Sequence, residues 1–179
     1  AGIDLIGRRP WRGDRLSMRL NIASIGQKGE GVALHDGARL FVPGTLPGET
    51  IEFEEGRPAT IVAASPERIA PFCRHFGSCG GCQIQHWAAA PYQAWKRGLV
   101  EAALRHRGIK TAVEPLIDAH GEGRRRVALH VRKTAAGIEA GFMAQRSHAL
   151  VAIAQCPVLE PSLANASVAA CAIGVHAGN

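Results

Sequence analysis

Aromatic residues are scarce in this chain: three Trp, one Tyr and five Phe make up 5% of its 179 residues. That argues against an interface built on many stacked bases. No apolar run reaches the ~20 residues that a membrane-spanning helix needs. The first segment, Ala1–Ser17, carries basic residues but no continuous apolar stretch followed by a small-residue cleavage site, so it shows no secretory signal. A phosphate loop ending in Gly-Lys-Ser/Thr is missing, as is a glycine-rich strand–loop–helix for a nucleotide or S-adenosylmethionine. The eight histidines are scattered and form no ligand pair at helical spacing. Asp, Glu, Ser and His show no arrangement suited to acid–base or nucleophilic catalysis.

What is present is positive charge, a run of strand signals and a group of cysteines. The formal charge of +6 favours an anionic partner, most simply nucleic acid. The length suits one large domain or two small ones. Five cysteines, odd in number and clustered, fit metal binding in a reducing compartment better than a disulfide framework, so a cytoplasmic protein is expected. Met18 is the first methionine, and residues 1–17 are read as a flexible leader.

From Met18 to Ala64 the pattern is of short strands broken by turns. Met18, Leu20 and Ile22 alternate with Arg19, Asn21 and Ala23, as on a half-buried strand. Val32–His35, the Asp36-Gly37 turn and Ala38–Val42 form a hairpin signal, and Glu49–Glu54 and Ala59–Ala64 supply two further strands. Five short strands in this span predict a small barrel of the OB type over 18–65. An α+β pattern follows over 66–160. It has a loop at Pro71–Gln85, a helix over Tyr92–Arg107 stopped by Gly108, and strands at Arg124–Arg132, Gly137–Phe142 and Leu150–Ile153. Pro161–Ala172 reads as a helix, stopping at Gly174–Asn179.

Cys73, Cys79 and Cys82 lie within ten residues, with Gly80 and Gly81 between the last two as a hinge, and Cys156-Pro157 follows far downstream. Four thiolates of this kind can converge on one soft metal centre. A structural zinc site more often shows paired Cys-x₂-Cys knuckles, whereas an iron–sulfur cubane accommodates the longer spacer and the distant fourth ligand. Spacing leaves iron–sulfur, zinc and unliganded thiols all open. Cys171, in an apolar stretch, reads as a small buried hydrophobe. The candidate RNA-contacting residues are Lys28, between two glycines, the run Arg124-Arg125-Arg126, and Arg132, Lys133 and Arg146. A solvated loop lysine and a solvated charged edge are the competing readings.

The cysteine pattern Cys73-x₅-Cys79-Gly-Gly-Cys82 with Cys156-Pro157 resembles the [4Fe–4S] motif of the TRAM-domain RNA uracil-5-methyltransferase family. Ile25-Gly26-Gln27-Lys28-Gly29-Glu30-Gly31-Val32-Ala33 and Leu40-Phe41-Val42-Pro43-Gly44 are similar to that family's TRAM barrel. Arg124-Arg125-Arg126 and Gly141-Phe142, with Ser147-His148 before Cys156-Pro157, resemble its central domain. The resemblance implies a [4Fe–4S] cluster on Cys73, Cys79, Cys82 and Cys156, and an RNA partner, 23S rRNA before tRNA, with no membrane and a monomeric chain. It also implies methyl transfer from S-adenosylmethionine to uracil C5 by a cysteine nucleophile and a base. In the family those groups lie in a C-terminal Rossmann-like domain, which this sequence does not contain. The expectation is a cluster-bearing, RNA-binding portion, inactive alone, with 161–179 leading toward the catalytic domain. The alternative is a stand-alone RNA-binding module with a structural metal site and no enzymatic activity.

Overall fold

The structure, a computed structural model, describes residues 17–117 and 123–176. The leader expected over 1–17 lies, but for Ser17, outside the described residues. The chain divides into two units, residues 1–66 and 67–179.

The first unit contains β1 (Met18–Ile25), β2 (Gly31–His35), β3 (Ala38–Val42), β4 (Thr50–Phe53) and β5 (Thr60–Ala63). The alternation in β1 sends Leu20 and Ile22 inward, where they pack with Ala33, Val42 and Ile51. Each such aliphatic side chain, fully buried, contributes about 1.5–3 kcal/mol. Asp36 and Gly37 both take positive φ, 48° and 75°. This is the primed two-residue turn whose twist matches the flanking strands, and it sets the register from His35↔Ala38 to Gly31↔Val42.

The strands stand where the alternation places them, but they do not close into the expected barrel. Their order is β3-β2-β1-β4-β5, and among the described residues no ladder joins β3 to β5. A register shift between Ile22 and Ser24 divides β1: its first half pairs with β4 and its second with β2. The bulge turns β1 from one short sheet into the other. Closure depends on strand tilt and shear, quantities that a period of two does not encode. Glu49, fully buried, anchors the connection before β4. Its Oε2 accepts from the Leu46 N–H at 2.8 Å and its Oε1 from the Ser65 N–H at 3.4 Å.

The second unit begins with Glu67, whose carboxylate accepts from Trp87 Nε1 at 2.8 Å and whose carbonyl accepts from the Ala88 N–H. α1 (Ala89–His106) follows, with Pro91 in its first turn. Its end has both bonds of a Schellman motif: Gly108 N–H to Arg105 O and Ile109 N–H to Leu104 O, each 3.0 Å, with Gly108 at φ 71°. Trp95 and Leu99 are only half-buried, and His106, expected on the same stripe, is exposed.

An antiparallel meander comprises β6 (His130–Thr134), β7 (Gly137–Met143) and β8 (Leu150–Ala152), and α2 (Ala166–His176) packs on β6 and β7 after a 3₁₀ turn at Pro161–Leu163. Several boundaries differ from expectation: α1 begins at Ala89 rather than Tyr92, and α2 at Ala166 rather than Pro161. α2 continues through Gly174, which is seated against Val131 and Ile138 where a larger residue would not fit. The strand expected from Arg124 forms only from His130, because the β6–β7 ladder ends at His130↔Gly141. Residues before His130 leave the β7 edge, and Arg124 instead forms an isolated parallel bridge with Leu159. Arg124 binds the chain after Cys156: its N–H donates to Val158 O at 2.8 Å, and Glu160 N–H donates to Arg124 O at 3.2 Å.

Candidate metal centre and basic residues

The cysteine segment is a succession of turns rather than a helix or strand. Phe76 N–H donates to Cys73 O, and Cys79 N–H to His75 O at 2.8 Å, with Gly77 supplying a positive φ of 88°. The segment is then fastened to the end of β7. Cys79 bridges Ala144, Gly80 N–H donates to Met143 O at 2.9 Å, and Gln145 Nε2 donates to Cys82 O at 3.5 Å. Cys156 reaches the same place from β8, whose pairing with β7 extends through the Ile153 N–H to Ala140 O bond.

Cys73, Cys79, Cys82 and Cys156 thus line one cavity, closed on its apolar side by Phe76, Phe142 and Ile153. All four are half-buried free thiols. Burial pushes the Cys82 thiol above its ordinary value; Gln85 and the Arg124 guanidinium oppose this, while Cys156 and Cys79 add to it. Among the described residues no three His, Cys, Asp or Glu side chains converge closely enough to hold a single metal ion. The donor set is nonetheless suited to a thiolate-ligated cluster, whose irons are spread over a larger core than one ion.

Neither Gly80 nor Gly81, the expected hinge, has positive φ. Gly80 is required for close approach instead: a Cβ there would lie 2.8 Å from Met143 O. Gln85 escaped the reading of the sequence, although it lies three residues after Cys82. Its Oε1 accepts from the Cys73 N–H at 3.3 Å, and it lines the cavity. The fifth cysteine is elsewhere: the Cys171 thiol donates to Ile138 O at 3.5 Å, between α2 and β7.

The basic residues are more dispersed. Lys28 is in the β1–β2 turn of the first unit, exposed, where Gly29 N–H donates to Gly26 O at 3.0 Å. In the second unit Arg124 lines the cysteine cavity, while Arg125 and Arg126 are exposed on the segment before β6. Arg132 and Lys133 are neighbours on β6 and therefore point to opposite faces. Arg132 Nη2 donates to His148 O at 3.1 Å, and Arg146 occupies the β7–β8 turn at φ 52°.

No protein-family profile matches the chain. It is similar to a Caulobacter vibrioides protein named an uncharacterized RNA methyltransferase, 48% identical over 151 residues, which cover 80% of this chain and 36% of that protein. A Brucella suis protein of the same description is 44% identical over 149 residues, covering 81% of the chain and 36% of the relative. The 23S rRNA (uracil(1939)-C(5))-methyltransferase RlmD of Halomonas elongata is 41% identical over 160 residues, covering 82% and 33%. The relatives of this chain are thus proteins named RNA methyltransferases, and the chain spans only about a third of their length.

Proposed function

We propose that the chain is the RNA-recognising, cluster-bearing portion of an S-adenosylmethionine-dependent RNA uracil-C5 methyltransferase acting on 23S rRNA. The observation that carries this reading is identity of 41% to a 23S rRNA uracil methyltransferase over 82% of the chain. Cys73, Cys79, Cys82 and Cys156 would hold a [4Fe–4S] cluster on the cavity they line. When bound, the cluster supplies cross-linking rather than electrons, since methyl transfer from S-adenosylmethionine to a nucleophilic carbon needs none.

The chain's own residues would then divide the work. Cys79 and Gly80 fasten the ligand loop to β7, and Cys156 brings in the segment after β8. A cluster shared between them would join segments more than seventy residues apart in sequence. Exposed Lys28, Arg125, Arg126 and Lys133 would neutralise phosphates, making affinity fall with salt. Cys171 is not the nucleophile of this reading, because its thiol is directed at a backbone carbonyl between α2 and β7. In this reading the nucleophile, the base and the S-adenosylmethionine pocket would be supplied from outside the residues of this chain. The chain acts as a cytoplasmic monomer.

Anaerobic purification followed by iron, sulfide and zinc analysis, with salt-dependent binding to a 23S rRNA fragment and to tRNA, tests the proposal. About four irons per chain and tighter binding to the 23S fragment are expected. A colourless protein with one zinc overturns the cluster, and equal or absent RNA binding at low salt overturns the RNA assignment.

A further inference from the structure

Within the cysteine cavity one buried polar side chain turns its donor toward sulfur rather than toward a well-formed partner. Gln85 is 8% exposed. Its Oε1 is engaged by the Cys73 N–H, which orients the carboxamide. The Nε2 group on the other side is buried and makes no well-formed hydrogen bond among the described residues; the group it faces is the Cys82 sulfur, whose thiol burial pushes up and Gln85 holds down. A buried amide donor left unsatisfied costs about 1–3 kcal/mol, and native folds leave few such groups. Beside His75 and Gln155, the side-chain acceptors that the cavity offers to such a donor are its four sulfurs, with Cys82 in contact with Gln85. Gln155 also lines the cavity but is exposed, so water can satisfy it. Gln85 has no such recourse.

We infer that Gln85 is a positioning residue of the iron–sulfur site: its Oε1 holds the Cys73 loop, while its Nε2 donates a hydrogen bond to a sulfur of the bound cluster and sets the cluster's reduction potential. This rests on the cluster reading proposed above. A donor directed at sulfur stabilises the more negative, reduced state and so raises the potential. The Arg124 guanidinium, at the same cavity, adds to that effect through its charge.

The test compares the full chain with its Gln85→Leu and Gln85→Glu variants, purified anaerobically. The readouts are iron content, a redox titration followed by electron paramagnetic resonance, and Fe–S stretching frequencies in light and heavy water. Gln85→Leu is expected to shift the potential negative and remove part of the deuterium sensitivity. It should also release iron to a chelator about 10-fold faster or more. Gln85→Glu keeps an acceptor for the Cys73 N–H and should keep its iron, yet it lacks the amide donor and should also shift the potential negative. If Gln85→Leu assembles no cluster, Gln85→Glu decides alone. A wild-type cluster with unchanged potential and deuterium shift in the assembled variants overturns this inference and leaves the cluster reading standing. A wild-type chain without a cluster overturns both.

Discussion

Replacing Gly80 by alanine places a methyl group where the end of β7 already lies. The new Cβ would stand 2.8 Å from Met143 O and 3.3 Å from Ala144 O, whereas ordinary contacts begin at 3.4 Å. Both neighbours are backbone, so no flexible side chain can yield. The loop must therefore retreat by about 0.6 Å, stretching the 2.9 Å bond from Gly80 N–H to Met143 O. Overpacking of this kind costs about 1–3 kcal/mol, and the weakened hydrogen bond costs up to about 1 kcal/mol. Reduced freedom of the unfolded chain returns about 0.4–1 kcal/mol, because Gly80 does not need positive φ. The net expectation is a destabilisation of about 1–3 kcal/mol. Gly98→Ala is the matched control: it lies within α1 with nothing near its Cβ position, and should stabilise by about 0.5–1 kcal/mol. Urea unfolding followed by tryptophan fluorescence reads both, since Trp87 and Trp95 belong to this unit. If Gly80→Ala proves as stable as Gly98→Ala, the ligand loop is not seated on β7 as described.

Further expectations concern each unit separately. Cys82→Ser should lose cluster iron and lower the unfolding midpoint of the second unit while strands β1–β5 stay folded; retention of full iron removes Cys82 from the ligand set. Glu49→Gln replaces one carboxylate oxygen by an N–H that must face the Leu46 or the Ser65 N–H. It should destabilise the first unit by about 1–3 kcal/mol, read by thermal unfolding. Arg125→Ala should weaken RNA binding and reduce the salt slope by about 1, whereas Arg124→Ala, at the cysteine cavity, should change cluster potential more than salt slope. An equal loss of slope in both variants would return Arg124 to the RNA-contacting set.

Local signals in the chain were enough to place most of the elements. Alternation located β1 and its buried Leu20 and Ile22, and Asp36-Gly37 named its own turn because few residues tolerate two successive positive φ values. Gly108 announced the end of α1 for the same reason. The four cysteines were identifiable as a group from residue type and spacing, since little besides soft-metal chemistry asks for such clustering. Pairing between distant segments was not legible. The divided β1, and with it the open order β3-β2-β1-β4-β5, follows from a bulge and from strand tilt. The strand expected at Arg124–Arg126 does not form, because the β6–β7 ladder ends at His130 and Arg124 bridges Leu159, a residue far along the chain. That failure puts Arg124 beside Cys156 rather than on a shared arginine face. Gln85 resembles any other polar residue in a turn until Cys73 and the cavity walls close around it. Chemistry that depends on residue type and near neighbours can be read along the chain; burial, close approach and partner choice arise only when segments far apart in sequence meet.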